Sequence, residues 1–318
     1  MVCAGSSATA QTKKDTIALL QRTGALYHLQ FTEAEADSML GGIKEYTEVF
    51  TDMHKTAPPN SLLYPFAYEP APIGFKLPTG QQKIAWNIPA NVAMPANKTD
   101  LAFYSLPQLA SLIKNKKITS VALTQFFIDR IKKWDDSLKS VITLTEELAL
   151  QLARKMDADL AKGIYHGPLH GIPYGLKDLF AVKGYKTTWG TTPYKDQVID
   201  ENAFVYEQLT KAGAVLCAKL SLGALAFNDL WFGGRTNNPW NLRQGSSGSS
   251  AGSAAATAAG LLPFAIGTET YGSIISPSTR TGTTGLRPTF GAISRSGAMV
   301  LSWCFHKAGP ICRSAGEC

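Results

Sequence analysis

Apolar residues recur at helical spacing in the middle of the chain. Leu123, Phe127, Ile131 and Trp134 stand three or four residues apart, which predicts a helix over residues 120–134 with one buried stripe. A shorter helix is expected over Leu106–Lys114. The run Val141-Ile142-Thr143-Leu144 reads as a strand. Thr145 is placed to cap the next helix, Glu146 and Glu147 favour its positive end, and Gly163 ends it. Residues 171–178 form a second predicted strand, which carries Lys177. A helix over 203–212 is stopped by Gly213, and a strand follows over 214–219. Strands alternating with helices argue for α/β layers around a mostly parallel sheet. There is no internal repeat.

Nearer the start, residues 12–58 read as helical. Thr32 followed by Glu35 is a capping box, with Met39, Ile43 and Tyr46 at helical spacing behind it. Residues 57–100 are rich in proline and polar side chains and show no period. They predict an extended arm wrapping the core, or a disordered segment.

The pattern changes over residues 245–277, where two Ser/Gly clusters bracket small apolar residues. Residues 254–259 are helix-forming, and Phe264-Ala265-Ile266 reads as a short buried strand. A Ser/Gly linker would not be followed by an apolar helix and a buried strand. A phosphate loop would end in GK[ST], which is absent. Gly248-Ser249-Ser250-Ala251-Gly252 matches the G-x-S-x-G elbow with Ser250 as nucleophile. That motif needs a strand directly before it, and residues 238–243 make a poor one.

Both clusters fit a single pattern. Gly248-Ser249-Ser250-Ala251-Gly252-Ser253 and Gly267-Thr268-Glu269-Thr270-Tyr271-Gly272-Ser273-Ile274 carry Ser249 and Ser273, which are 24 residues apart. Upstream lies Gly171-Ile172-Pro173-Tyr174-Gly175-Leu176-Lys177-Asp178. In order and spacing, these three segments resemble the amidase signature family, over about residues 101–318. The resemblance implies a twisted, mixed, mostly parallel sheet wrapped by helices, with a helical N-terminal extension here. Residues 1–100 would then be a tail, a helical segment and an arm, and residues 101–318 the amidase signature domain.

The resemblance also implies roles. Ser273 would be the nucleophile and Lys177 the base. Ser249, preceded by a cis peptide bond in the family, would relay protons between them. Ser250 would orient Lys177, and the backbone N–H groups of Thr270, Tyr271, Gly272 and Ser273 would hold the oxyanion. A serine needs such a base, and a lysine can supply it once burial lowers its pKa. Taken alone, Lys177 reads as an ordinary surface lysine beside Asp178. Three positions depart from the family pattern: Glu269 for aspartate, Tyr271 for the first glycine, and Ile275 for a common arginine. The Tyr271 ring is expected to narrow the pocket. The loss of the arginine argues against an anionic substrate held at that position.

Composition adds exclusions. The net charge of +7 is spread among interspersed acids, and the densest basic run, Lys114-Asn115-Lys116-Lys117, accompanies no nucleic-acid motif. The five cysteines form no C-x-x-C pair, and Cys217 sits in an apolar run as a core thiol. His166 and His170 flank a Gly-Pro step and make a poor metal pair, so neither a metal nor a cofactor is expected. No stretch has the length of a membrane span. The expected partner is a small-molecule amide, with a homodimer left open.

At the ends, Ala8-Thr9-Ala10 before Gln11 resembles a cleavage site without its preceding regions. A tail and a cytoplasmic location are favoured, and an exported protein stays open. Residues 306–314 resemble a family segment that some two hundred residues normally follow, so the chain reads as a fragment. Three functions remain: an amidase, the glutaminase component of an aminoacyl-tRNA amidotransferase, and an inactive truncated chain. The extra hundred residues at the start weigh against the glutaminase component.

Overall fold

The computed structural model describes residues 12–55, 74, 76, 80 and 84–318. They divide into two compact units, within residues 1–82 and 83–318. The first unit contains α1 (Lys13–Leu26) and α2 (Glu33–Lys55). Each starts on a capping box. Thr12 and Asp15 exchange bonds at α1, and Thr32 and Glu35 do so at α2, where Thr32 N–H donates to Glu35 Oε2 at 2.8 Å. Of the expected α2 stripe, Met39 and Ile43 are half-buried and Tyr46 is exposed. The arm expected over 57–100 lies mostly outside the described residues. Its described end, 84–97, has no helix or strand and is pinned by Asn115 Nδ2 donating to Ala90 O and Lys117 Nζ to Val92 O.

In the second unit the helices are α3 (Leu106–Lys114), α4 (Ser120–Leu138), α5 (Glu146–Ala161), α6 (Phe204–Lys211), α7 (Ala251–Ala258) and α8 (Ile275–Thr281). The strands are β1 (Val141–Leu144), β2 (Pro173–Lys177), β3 (Val215–Leu220), β4 (Leu230–Trp231), β5 (Gly234–Arg235), β6 (Asn237–Asn238), β7 (Asn241–Gly245), β8 (Ala265–Glu269), β9 (Thr284–Gly285) and β10 (Lys307–Cys312). Six of them form one mixed sheet in the order β1-β3-β2-β8-β10-β9. Parallel pairing is confined to its centre, β3 with β2 and β2 with β8. The outer pairings are antiparallel, so parallel strands do not predominate.

The helices α4 and α5 pack on each other and over β3, and α7 lies against β8, β10 and β2. Leu123, Phe127 and Ile131 enter the core with Tyr174, Leu176, Leu216 and Ala218, as their spacing predicts. Trp134 does not. It is 48% exposed and lines an open apolar cleft of about 390 Å³ with Phe103 and Trp240. Helical period chooses a face, but the neighbouring elements decide how far along the helix that face is covered. Thr145 does precede α5, yet its hydroxyl donates to Leu216 O on β3 at 2.9 Å rather than capping the helix. Residues 238–243, read as a poor strand, form part of the hairpin of β6 and β7. That hairpin stands apart from the main sheet, and five residues separate β7 from α7. Cys217 is fully buried, and burial pushes its thiol pKa up.

Candidate functional site

The parallel pairing at the centre of the sheet sets the carboxyl ends of β2 and β8 side by side, with Leu176 opposite Ile266. Lys177 is the last residue of β2, and Thr268 and Glu269 end β8. Helix α7 begins at the same place, because glycine lets it come close. Gly252 N–H donates to Ser221 O, and a Cβ on Gly252 would sit 2.2 Å from Ser140 O. Ser249 and Ser250, just before α7, are thereby delivered to the end of β2.

Lys177 is fully buried among oxygen atoms. Its Nζ lies 2.8 Å from Ser249 Oγ, 3.0 Å from Ser250 Oγ, 2.9 Å from Thr268 Oγ1 and 3.4 Å from Thr268 O. It is not a surface lysine, and Asp178 is not its partner. Burial holds its pKa well below the ordinary lysine range, with the Glu269 charge opposing that shift. A lysine that is neutral in this cluster has a lone pair to accept a proton.

The peptide bond between Gly248 and Ser249 is cis. Ser250 is fully engaged: it accepts from Lys177 and from Thr268 N–H at 3.1 Å, and donates to Thr268 O at 3.0 Å. Its own N–H donates to Ser273 O at 3.0 Å, tying the two Ser/Gly segments together. With its hydroxyl so committed, Ser250 is poorly placed to be the nucleophile of an elbow.

Ser273 lies in the turn between β8 and α8 and is half-buried. Among the described residues its hydroxyl makes no hydrogen bond. The link from Lys177 to Ser249 is closed, and the link from Ser249 to Ser273 is open. Hydrogen bonds of this kind are commonly long in unliganded proteins and tighten with substrate. Glu269 shapes the turn from within. Its buried Oε2 accepts from Ile274 N–H at 2.9 Å and Ile275 N–H at 3.0 Å, and Arg287 Nη1 lies 3.4 Å from Oε1. Gly272 takes a φ of +85°, which glycine adopts without steric cost. Among the described residues, the N–H groups of Tyr271, Gly272 and Ser273 donate to no protein acceptor, as an anion site requires. The Tyr271 ring is 97% exposed, so it does not narrow the pocket as expected.

Two participants were not singled out in the sequence. Thr268 stands inside the second motif and could have been found as the hydroxyl preceding Glu269. His306, which faces Thr270, opens the segment 306–314 but was given no role there; burial first, then Lys177, Arg295 and Lys307, push its pKa down to about 4. His166 and His170 stack on each other away from the serines, with His166 paired to Asp159. Among the described residues no helix is long and apolar enough to cross a membrane.

This geometry can be set beside known proteins. A family model described as Amidase matches residues 122–318. The A-type component of the glutamyl-tRNA(Gln) amidotransferase of Methylococcus capsulatus is 42% identical over 217 residues, covering 67% of this chain and 44% of that protein. Among solved structures, the peptide amidase of Stenotrophomonas maltophilia matches with a TM-score of 0.63 at 36% identity, covering 70% of this chain and 46% of the enzyme. Fatty acid amide hydrolase matches with a TM-score of 0.65 at 28% identity, covering 69% and 40%. The chain spans less than half the length of each of these three.

Proposed function

The chain belongs to the amidase family, and from that premise we propose that it hydrolyses the carbon–nitrogen bond of a small-molecule amide through an acyl-enzyme on Ser273. Such a reaction is of the class acting on C–N bonds other than peptide bonds. The observation that carries the reading is the buried Lys177 Nζ, 2.8 Å from Ser249 Oγ and surrounded by hydroxyls in place of a carboxylate.

In this reading Ser273 Oγ attacks the amide carbonyl carbon. Its proton passes to Ser249 Oγ as the Ser249 proton passes to neutral Lys177. The carbonyl oxygen becomes an oxyanion received by N–H groups of residues 270–273, Thr270, Tyr271 and Gly272 among them. One such donor is worth roughly 10²–10³ in rate. Collapse breaks the C–N bond, and the departing amine takes a proton back from Ser249, which Lys177 replenishes. Water then cleaves the ester and frees Ser273. Ser250 holds Lys177 throughout. The test is labelling of the chain by a fluorophosphonate probe together with turnover of a simple amide. Labelling that survives Ser273→Ala would refute the assignment.

A second reading is favoured by the identity to the amidotransferase component. There the amide would be glutamine, and the ammonia released would serve a partner protein. Glutamine turnover, with simple amides and peptide amides untouched, would select it. Labelling at Ser273 with no turnover of any amide would instead point to a chain that binds without completing the cycle.

A further inference from the structure

One buried titratable side chain faces the turn of Ser273 and takes no part in the proton path. His306 is 2% exposed. Its Nδ1 lies 3.1 Å from Thr270 Oγ1, and its Nε2 has no hydrogen-bond partner among the described residues. Thr270 is the first residue after β8, and His306 the last before β10. Those strands pair with Lys307 opposite Glu269, so the two side chains meet where the strands part. The His306 backbone is held in turn, its N–H donating to Ser302 O at 3.1 Å and its carbonyl facing Arg295 Nη1 at 3.5 Å.

We propose that His306 is a positioning residue: its imidazole holds the Thr270 hydroxyl and thereby sets the direction of the peptide N–H groups of residues 271–273 toward the reacting carbonyl oxygen. This rests on the reading of Ser273 as nucleophile. Glu269 anchors the far side of the same turn through Ile274 and Ile275, so the segment between is clamped at both ends. The basic groups acting on the ring are Lys177 on β2, Arg295 in the preceding loop and Lys307 on β10, and each disfavours its charged form. With burial, they keep the ring neutral. A charged imidazole there would oppose proton uptake by Lys177, so a neutral one suits the proposed chemistry.

The experiment compares His306→Ala, His306→Asn, His306→Gln and Thr270→Val in the 318-residue chain, with Ser273→Ala as control. The readouts are the saturation kinetics of fluorophosphonate labelling and ¹⁵N-histidine NMR. Asparagine can place an amide atom near the ring Nδ1 position, whereas glutamine reaches the Nε2 position. His306→Ala should slow the maximal labelling rate by about tenfold to hundredfold while probe affinity changes little. His306→Asn should recover most of the loss and His306→Gln little of it. Thr270→Val should reproduce the alanine variant, and the double variant should be no slower than either single one. In NMR the ring should stay neutral in one tautomer down to about pH 5. If His306→Ala does not fold, Thr270→Val carries the comparison. Equal rates for the alanine and asparagine variants, additive losses in the double variant, a loss confined to probe affinity, or a ring charged at neutral pH would each overturn the proposal. Undiminished labelling of Ser273→Ala would instead sink the nucleophile assignment, and the proposal with it.

Discussion

Asp178 follows Lys177 in the chain, yet its carboxylate belongs to Lys219: Lys219 Nζ lies 2.5 Å from Asp178 Oδ1, with both side chains fully buried. Lys219 also donates to Lys186 O at 2.9 Å and Thr187 Oγ1 at 3.0 Å. Asp178 Oδ2 accepts from Thr188 N–H at 2.8 Å and Thr188 Oγ1 at 2.5 Å. The pair binds residues 186–188 over the ends of β2 and β3. It also occupies the carboxylate nearest to Lys177 in sequence, leaving Lys177 to its hydroxyl cluster.

Removing one partner of that pair strands a buried charge. Lys219→Met should therefore cost roughly 3–5 kcal/mol of stability, read from urea unfolding. The double variant Asp178→Asn with Lys219→Met should recover part of the loss, since no unpaired charge remains. A single-variant loss below about 1 kcal/mol would contradict the fully buried arrangement.

Lys177 should give the site its pH dependence. Its folded pKa is lowered by burial, so the neutral base exists below the ordinary lysine range. The labelling rate should rise with pH through that lowered value and level off before a free lysine would titrate. The sign for stability is the same. The unfolded chain binds the proton more tightly, so stability falls as pH drops from the unfolded pKa toward the folded one. Lys177→Met should cut the rate by about a hundredfold or more and remove the rising limb. A limb near the pKa of a free lysine would show that Lys177 is not the base.

Ser273→Ala should abolish fluorophosphonate labelling, whereas Ser250→Ala should leave a slower but measurable reaction. Ser250 touches Lys177 and both the N–H and the carbonyl of Thr268, so its loss loosens the base without removing the nucleophile. Mass spectrometry of the labelled peptide checks the site. An adduct on Ser250 would restore the elbow assignment.

Glu269 should separate charge from shape. Glu269→Ala removes the acceptor of two amides and should cost about 2–4 kcal/mol, read by thermal or urea unfolding. Glu269→Gln keeps an acceptor oxygen but deletes the charge that raises the Lys177 pKa. Its pH–rate profile should move to lower pH. Movement to higher pH would mean that the Glu269 charge does not act on Lys177 in this sense.

Much of the architecture was legible in the chain. The spacing of Leu123, Phe127 and Ile131 announced α4 and its buried face, and the short apolar runs announced β1, β2, β3 and β8, within a residue or two at most boundaries. The three Ser/Gly and Lys segments, read in order, drew attention to Lys177, Ser249, Ser250 and Ser273, and the structure brings Lys177, Ser249 and Ser250 into direct contact and ties Ser273 to Ser250 through the backbone. Motif residues are readable because a close backbone approach demands glycine, and because chemistry demands particular side chains at fixed offsets.

By itself, then, the sequence determined the main helices and the strands β1, β2, β3 and β8, the apolar stripe of α4, and which polar residues are spaced for chemistry. All of these are local properties of dihedral preference and periodicity. Only the tertiary structure decided what each face and each polar group meets. It left the Trp134 indole in an open cleft, sent the Thr145 hydroxyl to β3, turned the Tyr271 ring into solvent, gave Asp178 to Lys219 and brought His306 to Thr270. The Thr145, Asp178 and His306 contacts join segments at the ends of neighbouring strands, across 71 residues of chain in the first case and 36 in the last. Their burial, and with it the protonation of Lys177 and His306, depends on layers of other elements that no local stretch encodes.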